Sequence, residues 1–464
     1  MALVVRVYVL TLTAGQPVWW DEAEYLIEAR SLALGTPDTG FYSGRPLGLS
    51  VAMAGLYAIG VGETGLRVFV GLVALAAVWL LYRVGRRLVG THAGFVAALL
   101  FSVFYIPVFY GARLLTEMPQ VALCLLAADL VTSRSRVRTV VAAPVLVAAI
   151  LTRFPAGLMG PILLAWELAS ERARLLRSRE ALVALGIGSL SAAPYLAWAW
   201  LHHGDPLYAF KSWDRAMPSM TMSERVAGLG AYARWLWAVL GWGPGTLLVV
   251  GVLLCARRVI AFPRLWRAGD PALPAATLVL TWLLVPFFYF ALVVRPVLDR
   301  FPVLALPAVF LAIGVAAEWG AERLARGRAF LSSAVVVVVA TMAAVPLFLS
   351  ADRTVRQKLT SYGPLRDAGQ WIAAHSEPGD TIMSASVAQL TYYTVRPNVR
   401  FPRDVGEFVR VLGDAPPRYI VYTGYESQPA WLQPKLVELQ LQVVARFPPV
   451  AVPDVLVLSS RPAR

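Results

Sequence analysis

LRVFVGLVALAAVWLLYRVGRR, residues 66–87, is an apolar run that closes on Arg83, Arg86 and Arg87. Roughly 17–25 apolar residues cross a bilayer as a helix, so 66–84 reads as a membrane span. Similar runs occupy 91–111, 116–132, 137–152, 154–170, 181–201, 236–256, 272–294, 301–319 and 329–349. The composition agrees: 58% of the 464 residues are hydrophobic and 15% are charged, against about a quarter charged in soluble domains. An ordinary water-soluble enzyme is excluded. The net charge of +14 would suit nucleic acid in a soluble protein, but in a membrane protein basic residues first report topology. No nucleic-acid partner is expected. Cys124 and Cys255 both lie in apolar runs, which gives no disulfide framework.

Further arginine clusters follow at 134–138, 172–179, 257–267 and 323–328. Each is separated from the next by two spans, so all five can face the cytoplasm together, as basic loops do. Met1–Thr13 is apolar but short and carries Arg6; it reads as a truncated first span. Residues 46–62 are apolar too, yet counting them as a span would scatter the clusters over both sides. They read as a helix lying in the outer interface. The expectation is eleven spans, N-terminus inside and C-terminus outside, with a transmembrane domain over 1–350 and an outer loop at 14–65. From 351 the chain alternates amphipathic stretches (LRDAGQWIAAHS, VGEFVRVLGD) with short β-like runs (DTIMSAS, PRYIVYTG, LQVVARF, PDVLVLS). That pattern predicts a small extracytoplasmic α/β domain over 351–464.

Three outward-facing segments carry ionisable groups. WWDEAEYLIEARSLALG (19–35) crowds Asp21, Glu22 and Glu24 into a helix start. Acids at the mouth of a membrane bundle point to function, although acids also complement a helix dipole. FYSGRPLG (41–48) presents Arg45 on a glycine-proline turn, suited to forking onto phosphate or to snorkelling at the headgroups. GARLLTEMPQ (111–120) places Arg113 and Glu117 before Pro119, a helix start at which Thr116 could cap.

In this order and on this side, DExxY after the first span, a basic-proline turn and R-x(3)-E-M-P resemble the GT-C glycosyltransferases. The resemblance is to the branch of protein O-mannosyltransferases and lipid A aminoarabinose transferases. LDRFPVLALPA (298–308) looks like that family's outer loop with Phe301 in place of tyrosine, and 371–394 like the start of its soluble domain. The resemblance implies a polytopic α-helical enzyme of the plasma membrane. It implies transfer of a hexosyl or pentosyl group from a polyprenyl (dolichyl or undecaprenyl) phosphate to a hydroxyl of a protein, glycan or lipid.

Position by position, Asp21 would be the general base, with Glu22 beside it and Glu117 a second acid that holds the acceptor or a cation. Arg45 stands where relatives have lysine; Tyr25, Arg113, Arg153, Lys211 and Arg300 would contact substrate. Arg215 and Arg295 are further phosphate candidates. No cofactor is assigned. Some relatives bind a divalent metal with an acid just before the basic turn residue and a later histidine. Gly44 holds the first position here, so His202 and His203 alone give a metal little support. A transporter or lipid flippase is the alternative, but those place ionisable groups at the bilayer midplane in repeated halves, and neither feature is visible.

Overall fold

The structure, a computed structural model, describes residues 1–133, 135–171, 178–216, 220–294, 298–325 and 329–460. Arg295 lies outside them, as do Arg134, Arg172, Arg174, Arg177, Arg326 and Arg328; of Arg215 only the backbone is described. The chain is mostly helical. In order, the helices are α1 (Ala2–Thr13), α2 (Trp20–Leu34), α3 (Gly48–Ala58), α4 (Glu63–Leu88), α5 (Thr91–Val103), α6 (Tyr105–Tyr110), α7 (Glu117–Thr132) and α8 (Arg136–Thr152). They continue with α9 (Met159–Glu171), α10 (Arg179–His203), α11 (Tyr208–Ala216), α12 (Met222–Leu240), α13 (Trp242–Ile260) and α14 (Phe262–Ala268). The last of this series are α15 (Leu273–Leu292), α16 (Leu306–Ala325) and α17 (Ala329–Gln357). Among the described residues six helices are long and apolar enough to cross a membrane. Of the shorter apolar helices, α1 and α3 precede them in the chain and α5 follows α4.

Two stretches differ from the sequence expectation. The run 91–111 is broken at Phe104, whose extended backbone separates α5 from the six-residue α6. The run 236–256 is broken at Gly241, which takes φ 70°, a conformation nearly reserved for glycine. Its N-terminal part therefore belongs to α12, and the apolar helix begins only at Trp242.

The chain forms two compact units. The first holds 1–11, 44–48 and 67–356. Its helices touch through small residues, which let backbones close in where lipid offers no hydrophobic drive. Gly251 of α13 lies so near α16 that an added methyl would overlap the Ala312 carbonyl, and Gly314 of α16 stands in the same way against Ala93 of α5. Charges close one end of this bundle. Asp129 near the end of α7 accepts Arg83 at 3.1 Å and Arg87 at 3.0 Å, both from the last turns of α4. Glu318 of α16 caps α5 by accepting the Ala93 N–H at 2.8 Å and meets His92 at 3.0 Å.

The second unit holds 12–43, 49–66 and 357–464. Its sheet has the order β2-β1-β3-β5-β4, with β1 (Ile382–Ser384), β2 (Asn398–Val399), β3 (Tyr419–Thr423), β4 (Gln442–Phe447) and β5 (Val455–Ser459). β2, β1 and β3 run parallel, while β5 is antiparallel to β3 and β4. Side chains alternate across a strand, so Tyr419 and Val421 face one core with Leu365, Ile372 and Leu390. Ile420 and Leu458 face another with Phe408, Leu432 and Leu436. Those partners come from α18 (Gly363–Ala374) and α19 (Val387–Thr394) on one face, and α20 (Val405–Asp414) and α21 (Leu432–Glu438) on the other.

Gly251→Ala should push α13 off α16 and cost about 1–3 kcal/mol, as overpacking does, lowering the thermal unfolding midpoint in detergent. Gly186→Ala in α10, where an added methyl meets nothing, should leave the midpoint unchanged or raise it slightly.

Candidate functional site

Four carboxylates lie on α2, and the local sequence decides which of them stays accessible. Glu22, three residues past the helix start, folds back to accept the Trp19 N–H at 2.8 Å, one half of a capping box. Glu24 accepts Trp20 Nε1–H at 2.7 Å. Glu22, Glu24 and Glu28 are all buried, and Asp21 is the partly exposed one. Gly35, with φ 66°, ends the helix by donating to Ser31, the left-handed stop that glycine supplies.

The second unit grips α2 from several directions. Tyr393 Oη accepts the Val18 N–H at 2.6 Å, and Gln389 donates to the Val18 carbonyl at 3.3 Å. Arg30 donates to the Tyr392 carbonyl at 3.0 Å with its guanidinium 4.1 Å from that ring's centre, and Tyr392 donates to Glu63 at 2.5 Å. Around the helix start, Arg400 lies over the Trp20 ring at 5.5 Å, and Tyr362 meets Trp19 edge-on at 6.3 Å. Glu426 is pushed up by burial, pulled down by Arg400 and pushed up again by the charge of Asp21. Asp21 and Glu426 also raise the Tyr362 phenol, after burial, which acts most strongly. Tyr25, expected to contact substrate, is buried, and its carbonyl accepts Ser50 Oγ–H at 3.1 Å.

In the first unit, the turn 111–116 and three helix ends form a charged cluster. Arg153 sits in extended backbone between α8 and a 3-10 turn, Phe154–Leu158; Pro155 has no N–H to give the Leu151 carbonyl and its ring would crowd that oxygen, which stops the α-helix there. Its Nη1 lies 3.0 Å from Oε1 of the buried Glu117, off the axis of a hydrogen bond. Glu117 Oε2 has no hydrogen-bond partner among the described residues. Arg113 is buried with its guanidinium 5.2 Å from the centre of Phe109. Arg67 of α4 donates to the Ala112 carbonyl at 3.2 Å. The Arg45-Pro46-Leu47-Gly48 turn packs on the end of α8, where a methyl on Gly48 would overlap the Leu151 carbonyl. That places the Arg45 turn beside the segment carrying Arg153.

Sequence reading overlooked Asp299, Tyr105 and Tyr110. Asp299 accepts Tyr105 Oη–H at 3.0 Å and Tyr110 Oη–H at 3.4 Å, and Trp235 donates to Tyr105 at 3.1 Å. Tyr110 lies within electrostatic reach of Asp299, Glu117, Arg300 and Arg153, which ties the four charges into one group. Arg153 and Arg300 both lie 5.9 Å from the centre of Phe301. Lys211 of α11 is held by Asp205 at 2.6 Å, and its neighbour Phe210 stacks on Phe154, the residue after Arg153, at 4.0 Å. The donor set does not suit a metal. His203 stacks on Tyr208 at 4.0 Å, His202 meets the Trp198 carbonyl, and no carboxylate precedes Arg45. No group of three metal-type side chains occurs among the described residues.

The structure aligns with ArnT from Cupriavidus metallidurans bound to undecaprenyl phosphate at TM-score 0.70 and 17% identity, covering 100% of this chain and 97% of that one. The chain has the GT-C fold. The zinc- and sulfate-bound oligosaccharyltransferase of Archaeoglobus fulgidus aligns at TM-score 0.60 and 14% identity, covering 90% of this chain and 67% of the other. The archaeal oligosaccharyltransferase AglB from Archaeoglobus fulgidus, in complex with an inhibitory peptide and a dolichol-phosphate, aligns at 0.55 and 14%, covering 90% and 69%. Residues 44–198 match the family described as dolichyl-phosphate-mannose-protein mannosyltransferase, a stretch that contains Arg45, Glu117 and Arg153. No curated protein matches the chain by sequence.

Glu426 should titrate above the ordinary glutamate range. Asp21→Asn removes a like charge and should lower its midpoint, whereas Arg400→Ala removes an opposite charge and should raise it. Carboxyl NMR of glutamate-labelled protein reads both shifts.

Proposed function

We propose that the chain is a membrane glycosyltransferase that moves a sugar from polyprenyl phosphate to an acceptor hydroxyl. The observation that carries this reading is the accessibility of Asp21 on a helix whose other three carboxylates are buried. The GT-C fold, shared with an ArnT structure that holds undecaprenyl phosphate, supports it. So does the match of 44–198 to the mannosyltransferase family.

The chemistry divides between two groups of residues. The acceptor oxygen attacks the anomeric carbon while the bond from that carbon to the phosphate oxygen breaks. The departing polyprenyl phosphate takes the bonding electrons, and Asp21 takes the proton of the acceptor hydroxyl. Arg45, Arg153 and Arg300 hold the phosphate and offset the charge that grows on it, where fixed cations act strongly because water is scarce. Glu117, whose Oε2 has no hydrogen-bond partner among the described residues, is the second acid of this reading. No leaving-group acid is required, since phosphate leaves readily as an anion. The donor is a dolichyl- or undecaprenyl-phosphate sugar, and the chain works at the outer face of the plasma membrane.

This reading adopts eleven spans with the α/β domain outside. Reporter fusions after Arg87 and Arg179 should then read cytoplasmic, and fusions after Gly204 and Ser361 external; a cytoplasmic reading at Ser361 would overturn the sidedness.

Asp21→Asn should lower turnover by roughly 10²–10⁴-fold, the range for a lost general base, with donor binding retained. Glu22→Gln, which alters a cap, should act mainly on stability. Transfer of sugar from polyprenyl-phosphate hexose by purified, equally folded variants measures both. Near wild-type turnover in Asp21→Asn would remove it from the reaction.

A further inference from the structure

Beside the start of α2 the second unit opens a cleft of about 410 Å³, lined by Trp19, Lys358, Thr360, Ser361, Tyr362 and Tyr425. The volume falls within the range of ordinary ligand sites. Three of the six lining residues are aromatic and amphipathic. Tyr362 bridges the other two, edge-on to Trp19 at 6.3 Å and tilted against Tyr425 at 5.0 Å. The other three supply an ammonium and two hydroxyls. None is Leu, Ile, Val, Met or Phe.

The chemistry of this lining selects among acceptor classes. An acyl chain or an apolar peptide side chain needs aliphatic walls, and this cleft has none. A pyranose ring presents an apolar C–H face and a rim of hydroxyls. The face packs on indole or phenol rings, which combine apolar bodies with polar tips. The rim exchanges hydrogen bonds with hydroxyl, ammonium and carboxylate groups. Carboxylates stand at the same place: Asp21 and Glu426 both act electrostatically on Tyr362. Asp21 reaches Tyr362 of the cleft wall, so a sugar stacked in the cleft brings its hydroxyls toward the base.

We infer that this cleft is the acceptor subsite and that the acceptor is a saccharide, held by Trp19, Tyr362 and Tyr425 with a hydroxyl directed at Asp21. The inference rests on the transferase reading for the role of Asp21, while the ligand class rests on the cleft alone. Tyr362 holds φ 67° at the head of α18, a conformation uncommon for a residue with a large side chain.

The test uses the full-length protein in lipid nanodiscs and calorimetric titration with neutral hexasaccharides of glucose, mannose and galactose. Serine- and threonine-rich peptides and phospholipid vesicles serve as the rival probes. At least one hexasaccharide should bind. Tyr362→Asn keeps a residue tolerant of positive φ and removes the ring; it should weaken binding about tenfold, which equals about 1.4 kcal/mol. Tyr425→Ala, on the partly exposed loop after β3, should do the same and carries the test if Tyr362→Asn does not fold. No binding by any hexasaccharide, binding unmoved by the variants, or binding of peptide or vesicle in their place would overturn the inference. Transfer of hexose from polyprenyl-phosphate hexose to the bound hexasaccharide is measured alongside. Its absence with saccharide binding intact overturns the transferase reading and leaves the ligand class standing.

Discussion

Glu117 is buried at the head of α7 with Arg153 3.0 Å away, and the first unit's charged end is organised by that contact. A carboxylate enclosed in an apolar bundle needs a cation, because stripping one partner from a buried pair costs about 3–5 kcal/mol. Arg153 can serve only if α8 stops at Thr152 and the chain leaves in extended backbone, and Phe154-Pro155 enforces that stop. The same end then accommodates Arg300, Asp299 and the phenols of Tyr105 and Tyr110. The opposite end follows the same rule, with Asp129 shared by Arg83 and Arg87. Charge compensation in low dielectric, more than helix propensity, decides where these helices begin and end.

The apolar runs made most of this bundle's helices legible. α4, α7, α8, α10, α15, α16 and α17 follow the expected runs closely, since length and hydropathy suffice to specify an apolar helix. A short helix at 48–58 was legible within the apolar stretch 46–62. α12 was not: Arg225 and Arg234 interrupt its apolar face, and the break at Gly241 depends on a backbone angle that hydropathy does not encode. The strands β1, β3, β4 and β5 each lie in an expected β-like run, while the two-residue β2 was too short to register. The grip of 357–464 on α2 left no trace in the sequence, because Tyr393 and Val18 meet across 375 positions.

The candidate site was legible in part, for similar reasons. The acidic helix, the Arg45 turn and Glu117 stood out because charge is rare in this chain. Tyr105 and Tyr110 did not, since phenols inside an apolar run look like core. Asp299 was overlooked beside Arg300 although it is a charge in a loop of a chain where charge is rare, and that was the signal available. Sequence also treated Asp21, Glu22 and Glu24 as one acidic patch. The structure separates them by hydrogen bonding: Glu22 closes the helix start and Glu24 takes the Trp20 indole, which leaves Asp21 accessible.

The central claim is that the donor's sugar–phosphate bond is broken by transfer, and phosphorus NMR tests it most directly. Purified protein in proteoliposomes is given a polyprenyl-phosphate hexose, in which the phosphorus is a diester, together with the neutral hexasaccharides as acceptors. The account predicts conversion of the diester resonance to the monoester of free polyprenyl phosphate, dependent on the protein and lost in Asp21→Asn. A diester that stays intact while the lipid changes leaflet would contradict it and establish a flippase.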